Sequence, residues 1–491
     1  MDIAQPFARR RSGILLHPSS LPGPHGFGGL GADAFRFVDF LVAAGQTVWQ
    51  VLPLGPTHDG GSPYQCLSVH AGNARLISLE RLVEEGWLPE TDGAVIHEAG
   101  TADDERVWAN LLAGFREHAD EAGWRAYEAF LHAQRDWLDD YALFVALREH
   151  FHHAPWTGWP VELRDRREDA LAEARVCHRE AIERVCFQQF VFHRQWHALK
   201  AYANARGVLL FGDMPIFVAH DSVDVWVDRR LFNLDAAGQP LVVAGVPPDY
   251  FSSTGQRWGN PHYQWDVMAQ ESYHWWIRRI ASHLAMFDLL RIDHFRGFES
   301  FWEIPAEHPD AIGGRWVAGP RDALFDALVA HFGSLPLVAE DLGLITDEVH
   351  ELRDRYRLPG MKILQFAFDG TPDNPYLPHN HVRDCVVYTG THDNDTSLGW
   401  FAGLDASAQG YVEEYLGYPG EGMPWPLIRC AMASPAAMSI LPMQDILALD
   451  GAHRMNVPGT MEGNWRWRFD WSQVPEGLAA RLLQMSRLYG R

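Results

Sequence analysis

Four times in this chain an apolar run stops abruptly at a carboxylate. Residues 208–212 lead to Asp213, 286–290 deliver Arg291-Ile292-Asp293, 336–339 run into Glu340-Asp341, and 385–388 open onto a cluster containing His392-Asp393. Short continuous apolar runs bounded by glycine and polar residues suit strands buried on both faces. Such strands belong to parallel sheets covered by helices. Further runs at 12–20, 47–54, 361–368 and 437–447 bring the candidate strands to eight. Helically spaced segments separate them, such as 33–44, which stops at Gly45, and 272–285. Strand and helix in alternation predict the α/β class, as a (β/α)8 barrel with helical insertions between barrel strands. A barrel of this kind can hold all 491 residues as one unit, 1–491, although length alone suggests several domains.

Two stretches depart from the alternation. Residues 79–203 are rich in Ala, Glu, Arg, His and Trp and have helical periodicity without a clear strand; they read as a helical insertion subdomain. Residues 219–263 are loop-rich but aromatic, which argues against disorder. They read as an active-site lid carrying Tyr250, Phe251 and Trp258. The glycine-rich loop 25–31 lacks a Gly-Lys-Ser/Thr sequence and reads as a turn rather than a phosphate cradle.

The net charge of −23 argues against nucleic acid and anionic membranes as partners. No run approaches the roughly 20 apolar residues of a membrane span. The cysteines at 66, 177, 186, 385 and 430 are scattered, odd in number and without zinc-like spacing. The expectation is a soluble, cytoplasmic protein, a monomer or weak homo-oligomer, with neither metal nor cofactor.

In a (β/α)8 barrel the reacting groups sit at the carboxyl ends of the strands. Asp213, Asp293, Glu340 and Asp393 should therefore converge on one face. Strand side chains alternate, so Arg291 and Asp293 point the same way, and the guanidinium favours the ionised carboxylate. A structural ion pair is the plain alternative for Arg291 and Asp293 taken alone. Several carboxylates with one Arg and two His fit glycoside chemistry, in which one carboxylate is the nucleophile and a protonated one the acid. Asp293 suits the first role and Glu340, with its longer reach, the second. A zinc or manganese site at His294, His392 and Asp393 is the competing reading. The chain lacks an early His-x-His strand end, and Arg291 would set a cation beside the metal.

The motifs Ser62-Pro63-Tyr64-Gln65, Gly212-Asp213-Met214-Pro215, Gly255-Gln256-Arg257-Trp258-Gly259-Asn260-Pro261, Arg291-Ile292-Asp293-His294-Phe295-Arg296-Gly297, Ala339-Glu340-Asp341-Leu342-Gly343 and Thr391-His392-Asp393-Asn394-Asp395 together resemble the 4-α-glucanotransferases of the amylomaltase type, in the α-amylase clan. Later stretches, Asn456-Val457-Pro458-Gly459-Thr460 and Gly463-Asn464-Trp465, agree. The resemblance implies a retaining transfer of an α-1,4-glucan segment between maltooligosaccharides. Asp293 would be the nucleophile, Glu340 the acid/base, and Asp393 a third carboxylate gripping sugar hydroxyls, with Asp395 structural. It further implies that Tyr64, Asp213, Gln256, Trp258, Arg291, His294, His392 and Asn464 bind substrate. Water competes as acceptor, so an α-glucan hydrolase with the same carboxylates is the alternative. Cys66, where the family usually has serine, bears on loop packing more than on catalysis.

Overall fold

A computed structural model describes residues 6–23, 27–87, 105–248, 252–460 and 462–491. Its centre is an eight-stranded, wholly parallel sheet made of β1 (Arg11–Leu15), β2 (Val48–Gln50), β3 (Leu209–Pro215), β6 (Leu289–Asp293), β9 (Leu337–Ala339), β10 (Gly360–Ile363), β11 (Cys385–Tyr388) and β12 (Met438–Pro442). The strand order is β10-β11-β12-β1-β2-β3-β6-β9, so β9 and β10 are the two edges. These edges meet. The Ala339 N–H donates to the Pro359 carbonyl at 2.9 Å, and the Met361 N–H donates to the Asp341 carboxylate at 2.7 Å. The chain is a (β/α)8 barrel, and all eight sequence-predicted strands are in it.

The barrel interior shows why the strands read as unbroken apolar runs. Every strand contributes to one inner cluster: Leu15, Val48, Leu209, Phe211, Leu289, Val338, Met361, Ile363, Val386, Tyr388, Met438 and Ile440. The intervening residues, among them Ile14, Leu210, Leu290, Ile292, Val387 and Leu441, face outward and belong to the larger core shared with the surrounding helices. Alternation then fixes the site. Asp213 lies two residues beyond Phe211, and Arg291 and Asp293 lie two and four beyond Leu289, so all three project into the barrel mouth.

Among the described residues, the segment between β2 and β3 is built chiefly of helices, including Glu105–His118, Glu121–His150, Glu168–Cys177 and Arg179–Ala205. Asp120 caps the second by accepting from the Gly123 N–H at 2.8 Å. The last is fastened to the barrel: Trp196 donates to the Met286 carbonyl (2.9 Å), Asn204 donates to Asp288 (2.8 Å), and Lys200 pairs with Asp288. No described helix is long and apolar enough to cross a membrane.

The 219–263 stretch differs from its loop-rich reading. It contains β4 (Val242–Val246) and β5 (Gln256–Pro261), which join β7 (Ser300–Pro305) and β8 (Arg315–Ala318) in an antiparallel sheet of order β5-β4-β7-β8. Pairing of β4 with β7, some sixty residues on, supplies what no local pattern announces. Tyr250 and Phe251 lie outside the described residues, as do His25 and Gly26 of the glycine-rich loop.

The barrel seam concentrates its polar load on one residue. Asp341 is buried, accepts from the Met361 N–H of β10 and pairs with Arg353. Asp341→Ala would strand both donors, which costs about 2–4 kcal/mol. Urea unfolding is expected to show that loss as a lower midpoint with an unchanged slope, and an unshifted midpoint would contradict the role given to Asp341.

Candidate active site

The site grows out of the register between β3 and β6. Asp213 pairs with Arg291, and Pro215 with Asp293, across that ladder. Arg291 is buried, and its two terminal nitrogens serve different carboxylates. Nη1 donates to both oxygens of Asp213 at 2.9 and 2.8 Å, and Nη2 donates to Asp293 Oδ1 at 2.8 Å. Tyr64 completes the group by donating its hydroxyl to Asp213 Oδ2 at 2.6 Å. Asp213 therefore anchors Arg291, and Arg291 orients Asp293, whose other oxygen stays open to the half-exposed cleft.

Glu340 enters from the neighbouring strand. Ile292 pairs with Ala339, so Asp293 and Glu340 follow partnered residues on adjacent strands. Adjacent strands lie about 4.8 Å apart, a spacing that matches the roughly 5 Å separation of a retaining carboxyl pair. Glu340 Oε2 accepts from the His294 N–H at 2.7 Å and Oε1 from the Leu342 N–H at 3.0 Å. The residue that makes the first bond has an unusual backbone. His294 sits in the left-handed region at φ 54°, which redirects the chain after it, where the Phe295 N–H donates to the Glu340 carbonyl at 3.1 Å. That conformation costs a non-glycine residue about 1–3 kcal/mol, a common feature of functional loops.

Three carboxyl groups meet three environments. Burial raises Glu340 to about 8; Arg291 opposes the rise, while the charge of Asp293 adds to it. Burial also raises Asp293, and Asp213 and Asp393 push the same way, but Arg291 restrains it to about 6. Arg291 favours the ionised form, as the sequence spacing predicts; burial and two further carboxylates oppose it, and Asp293 is still ionised at neutral pH. The crowded cleft works against ionisation of the partly exposed Asp393 as well, yet His392 and the Asn456 amide outweigh it and hold Asp393 below the usual carboxylate range. Between about pH 6 and 8, Asp293 and Asp393 are anions and Glu340 keeps its proton.

Around these groups stand the remaining expected residues. His392 Nε2 lies 3.3 Å from Asp393 Oδ2, and its ring stacks on Tyr64 with centroids 5.2 Å apart and planes at 13°. Trp465 closes against both rings, at 5.8 Å from Tyr64 and 5.9 Å from His392. The Trp258 ring meets His294 edge-on at 4.9 Å, and its N–H donates to Gln256 Oε1 at 3.1 Å. Burial lowers the His294 imidazole to about 3, so it is neutral.

Asn464 is placed differently from the rest. It is partly exposed and spent on its own loop, accepting from the Val457 N–H at 2.9 Å and donating to the Thr460 carbonyl at 2.9 Å. The asparagine that meets a site carboxylate is Asn456, which donates to Asp393 Oδ1 at 2.6 Å. Its motif was visible in the sequence, but nothing local there separates it from Asn464. Asp395 lies against a neighbouring turn. Its carboxylate packs on the backbone of Gly399 and Gly451, and its carbonyl accepts from Gln365 at 2.8 Å. Among the described residues, no group of three or more His, Cys, Asp or Glu is disposed to hold a metal ion.

With this geometry in view, comparison with known proteins is decisive. The family model for 4-alpha-glucanotransferase matches residues 16–473. The chain belongs to the 4-alpha-glucanotransferase family. A 4-alpha-glucanotransferase of Thermus thermophilus is 49% identical, over 97% of this chain and 98% of its own. The Synechocystis 4-alpha-glucanotransferase is 47% identical, over 98% of each chain. Among solved structures, the amylomaltase of Streptococcus agalactiae, in complex with acarbose, superimposes with a TM-score of 0.94 at 39% identity, covering 98% of this chain and 100% of its own. The Corynebacterium glutamicum amylomaltase, at 18% identity and a TM-score of 0.79 over 100% of this chain and 76% of its own, shares the fold.

The raised Glu340 has a consequence for stability in this family member. Its carboxyl takes up a proton more readily folded than unfolded, where a glutamate titrates near 4.3. Its contribution is therefore fully present at low pH and is lost as pH rises through about 8. Glu340→Gln removes that titration. Relative to wild type, the variant is expected to gain about 2–4 kcal/mol between pH 5 and pH 9. Parallel denaturant series at the two pH values test this, and a stability difference that does not change with pH would contradict the buried, protonated Glu340.

Proposed function

We propose that this chain transfers α-1,4-glucan segments between maltooligosaccharides by retaining double displacement, with Asp293 as nucleophile and Glu340 as acid/base. One observation carries the assignment. The two carboxyl groups end adjacent, paired strands and hold opposite protonation states across neutral pH.

The steps follow from those states. Glu340 gives its proton to the glycosidic oxygen while Asp293 attacks the anomeric carbon. The bond to the departing sugar breaks, its reducing-end fragment leaves as an alcohol, and a glycosyl–Asp293 ester remains. Glu340, now ionised, takes the proton from the 4-hydroxyl of an acceptor glucan. The acceptor oxygen attacks the same carbon and Asp293 departs as carboxylate, so two inversions give net retention. Asp393, Asp213, Arg291, His294 and His392 hold the sugar and the nucleophile. Tyr64 would carry the donor sugar on its ring, and Gln256 with Trp258 would face the acceptor. The 219–263 region would act as a lid on that side, since β5 already brings Trp258 against His294. The site needs no cofactor.

Hydrolysis uses the same residues with water as acceptor, and exclusion of water decides between them. Transfer is the reading favoured by the family. We also place the enzyme in the cytoplasm as a monomer or weak homo-oligomer; its free cysteines, two of them buried, suit a reducing compartment.

Incubation with maltotriose is expected to give glucose and a ladder of longer chains at constant reducing-end concentration; a steady rise in reducing ends would identify a hydrolase. Asp293→Asn is expected to lose ~10⁴-fold or more in kcat while melting like wild type. For wild type, kcat/KM should rise through about pH 6 as Asp293 ionises and fall through about pH 8 as Glu340 loses its proton. A profile flat across that range would separate these carboxylates from the chemistry.

A further inference from the structure

Asp393 has few holds of its own. It follows β11 in a turn, and its side chain is 45% exposed toward the cleft. Two groups fix its carboxylate. His392 Nε2 stands 3.3 Å from Oδ2, and the Asn456 amide donates to Oδ1 at 2.6 Å. A carboxylate offers about four acceptor positions, so two remain for a ligand. Asn456 arrives from a loop that β12 and its following turns bring back over the barrel mouth.

That loop does not need the Asp393 bond to hold its shape. Arg454 donates to the Asp393 carbonyl (2.9 Å) and to the Asn456 carbonyl (3.2 Å). The Trp465 N–H donates to the Met455 carbonyl at 2.7 Å, and Asn464 bridges Val457 and Thr460. Trp465 then rests on Tyr64 and His392. The backbone is thus pinned at both ends of the loop, and the Asn456 side chain is left for Asp393 alone.

We propose that Asn456 is a positioning residue for the transfer reaction: its side-chain amide fixes the rotamer in which Asp393 presents its free oxygen lone pairs to the bound sugar. This rests on the reading of Asp393 as the carboxylate that grips sugar hydroxyls. The amide nitrogen only donates, so it supports the ionised carboxylate as well as its direction. The other groups bearing on Asp393 are Arg291, and His392 when it carries a proton, which favour the anion, and Asp293, which opposes it. A fixed anion beside a sugar gaining oxocarbenium character contributes most in the transition state. Loss of Asn456 should therefore fall on kcat, not KM.

The test uses Asn456→Ala, Asn456→Asp and Asp393→Asn in the full-length enzyme, with maltotriose as substrate and thermal melting as the fold check. Asn456→Ala is expected to lower kcat about 10- to 100-fold with KM little changed, the size of one hydrogen bond to a charged group. Asn456→Asp keeps the shape but replaces the donor by an acceptor. At pH 8 the two facing anions repel, and the variant should be slower than Asn456→Ala. At pH 5 a proton shared between the carboxyl groups restores a hydrogen bond, so the kcat ratio of Asn456→Asp to wild type should rise about tenfold. A residue that merely holds its loop would raise KM, or lower both melting temperature and activity, with a ratio indifferent to pH; either result overturns the proposal. So does unchanged kcat in both variants. If Asp393→Asn itself keeps wild-type kcat, the role given to Asp393 fails; if Asp393→Asn is inactive and the Asn456 variants keep wild-type kcat, only the positioning inference fails.

Discussion

One guanidinium holds this site in register. Arg291 is buried at the end of β6 and spends its two terminal nitrogens on Asp213 and Asp293. Burying a cation is costly unless it is paired and hydrogen-bonded, and Asp213, which is also buried, supplies that pairing. With Asp213 satisfying the cation, Asp293 needs only one of its oxygens for Arg291 and stays partly exposed to the cleft. Tyr64, in the loop beyond β2, joins the arrangement by its hydroxyl on Asp213 and, through its ring, brings in His392 and Trp465. A single charge cluster thus links β3 and β6 to the loops beyond β2 and β11 and to the C-terminal loop.

The same cluster explains how similar residues come to differ. Asp293 and Glu340 stand at equivalent strand ends, but Glu340 receives two backbone N–H groups and no cation in contact, whereas Asp293 has Arg291. Burial raises both, and the guanidinium decides which ionises first. Asp393, further round the mouth, is drawn down by His392 and Asn456. At Asp293 and Asp393 the contact that aims the side chain also favours its anion, whereas at Glu340 burial and the charge of Asp293 hold the proton against the His294 N–H that aims it.

Much of this was readable from the chain alone, for identifiable reasons. Barrel strands are buried on both faces, so Leu289-Leu290 and Leu337-Val338 announce themselves as continuous apolar runs. The alternation that carries Phe211 to Asp213 and Leu289 to Arg291 places the charges in the mouth. What escaped depends on distant pairing. The sheet of β4, β5, β7 and β8 joins short strands from separate parts of the sequence, so the 219–263 region resembles a loop until its partners are known. Asn456 and Asn464 sit in neighbouring motifs with nothing in their surroundings to rank them; only the fold shows that Asn464 braces its own loop while Asn456 reaches Asp393. Trp465 was likewise part of a motif, and only the assembled barrel sets it against Tyr64 and His392.

The most direct measurement is capture of the covalent intermediate. A fluorinated α-glucosyl fluoride slows breakdown of the glycosyl-enzyme, and rapid acid quenching followed by peptide mass spectrometry locates the attached sugar. If Asp293 forms the bond, the label is found on that side chain, disappears in Asp293→Asn, and is released as a transfer product of retained α configuration when maltose is added. A label on Asp213, Glu340 or Asp393, or a product of inverted configuration formed without any labelled peptide, would contradict the division of labour that Arg291 imposes on the site.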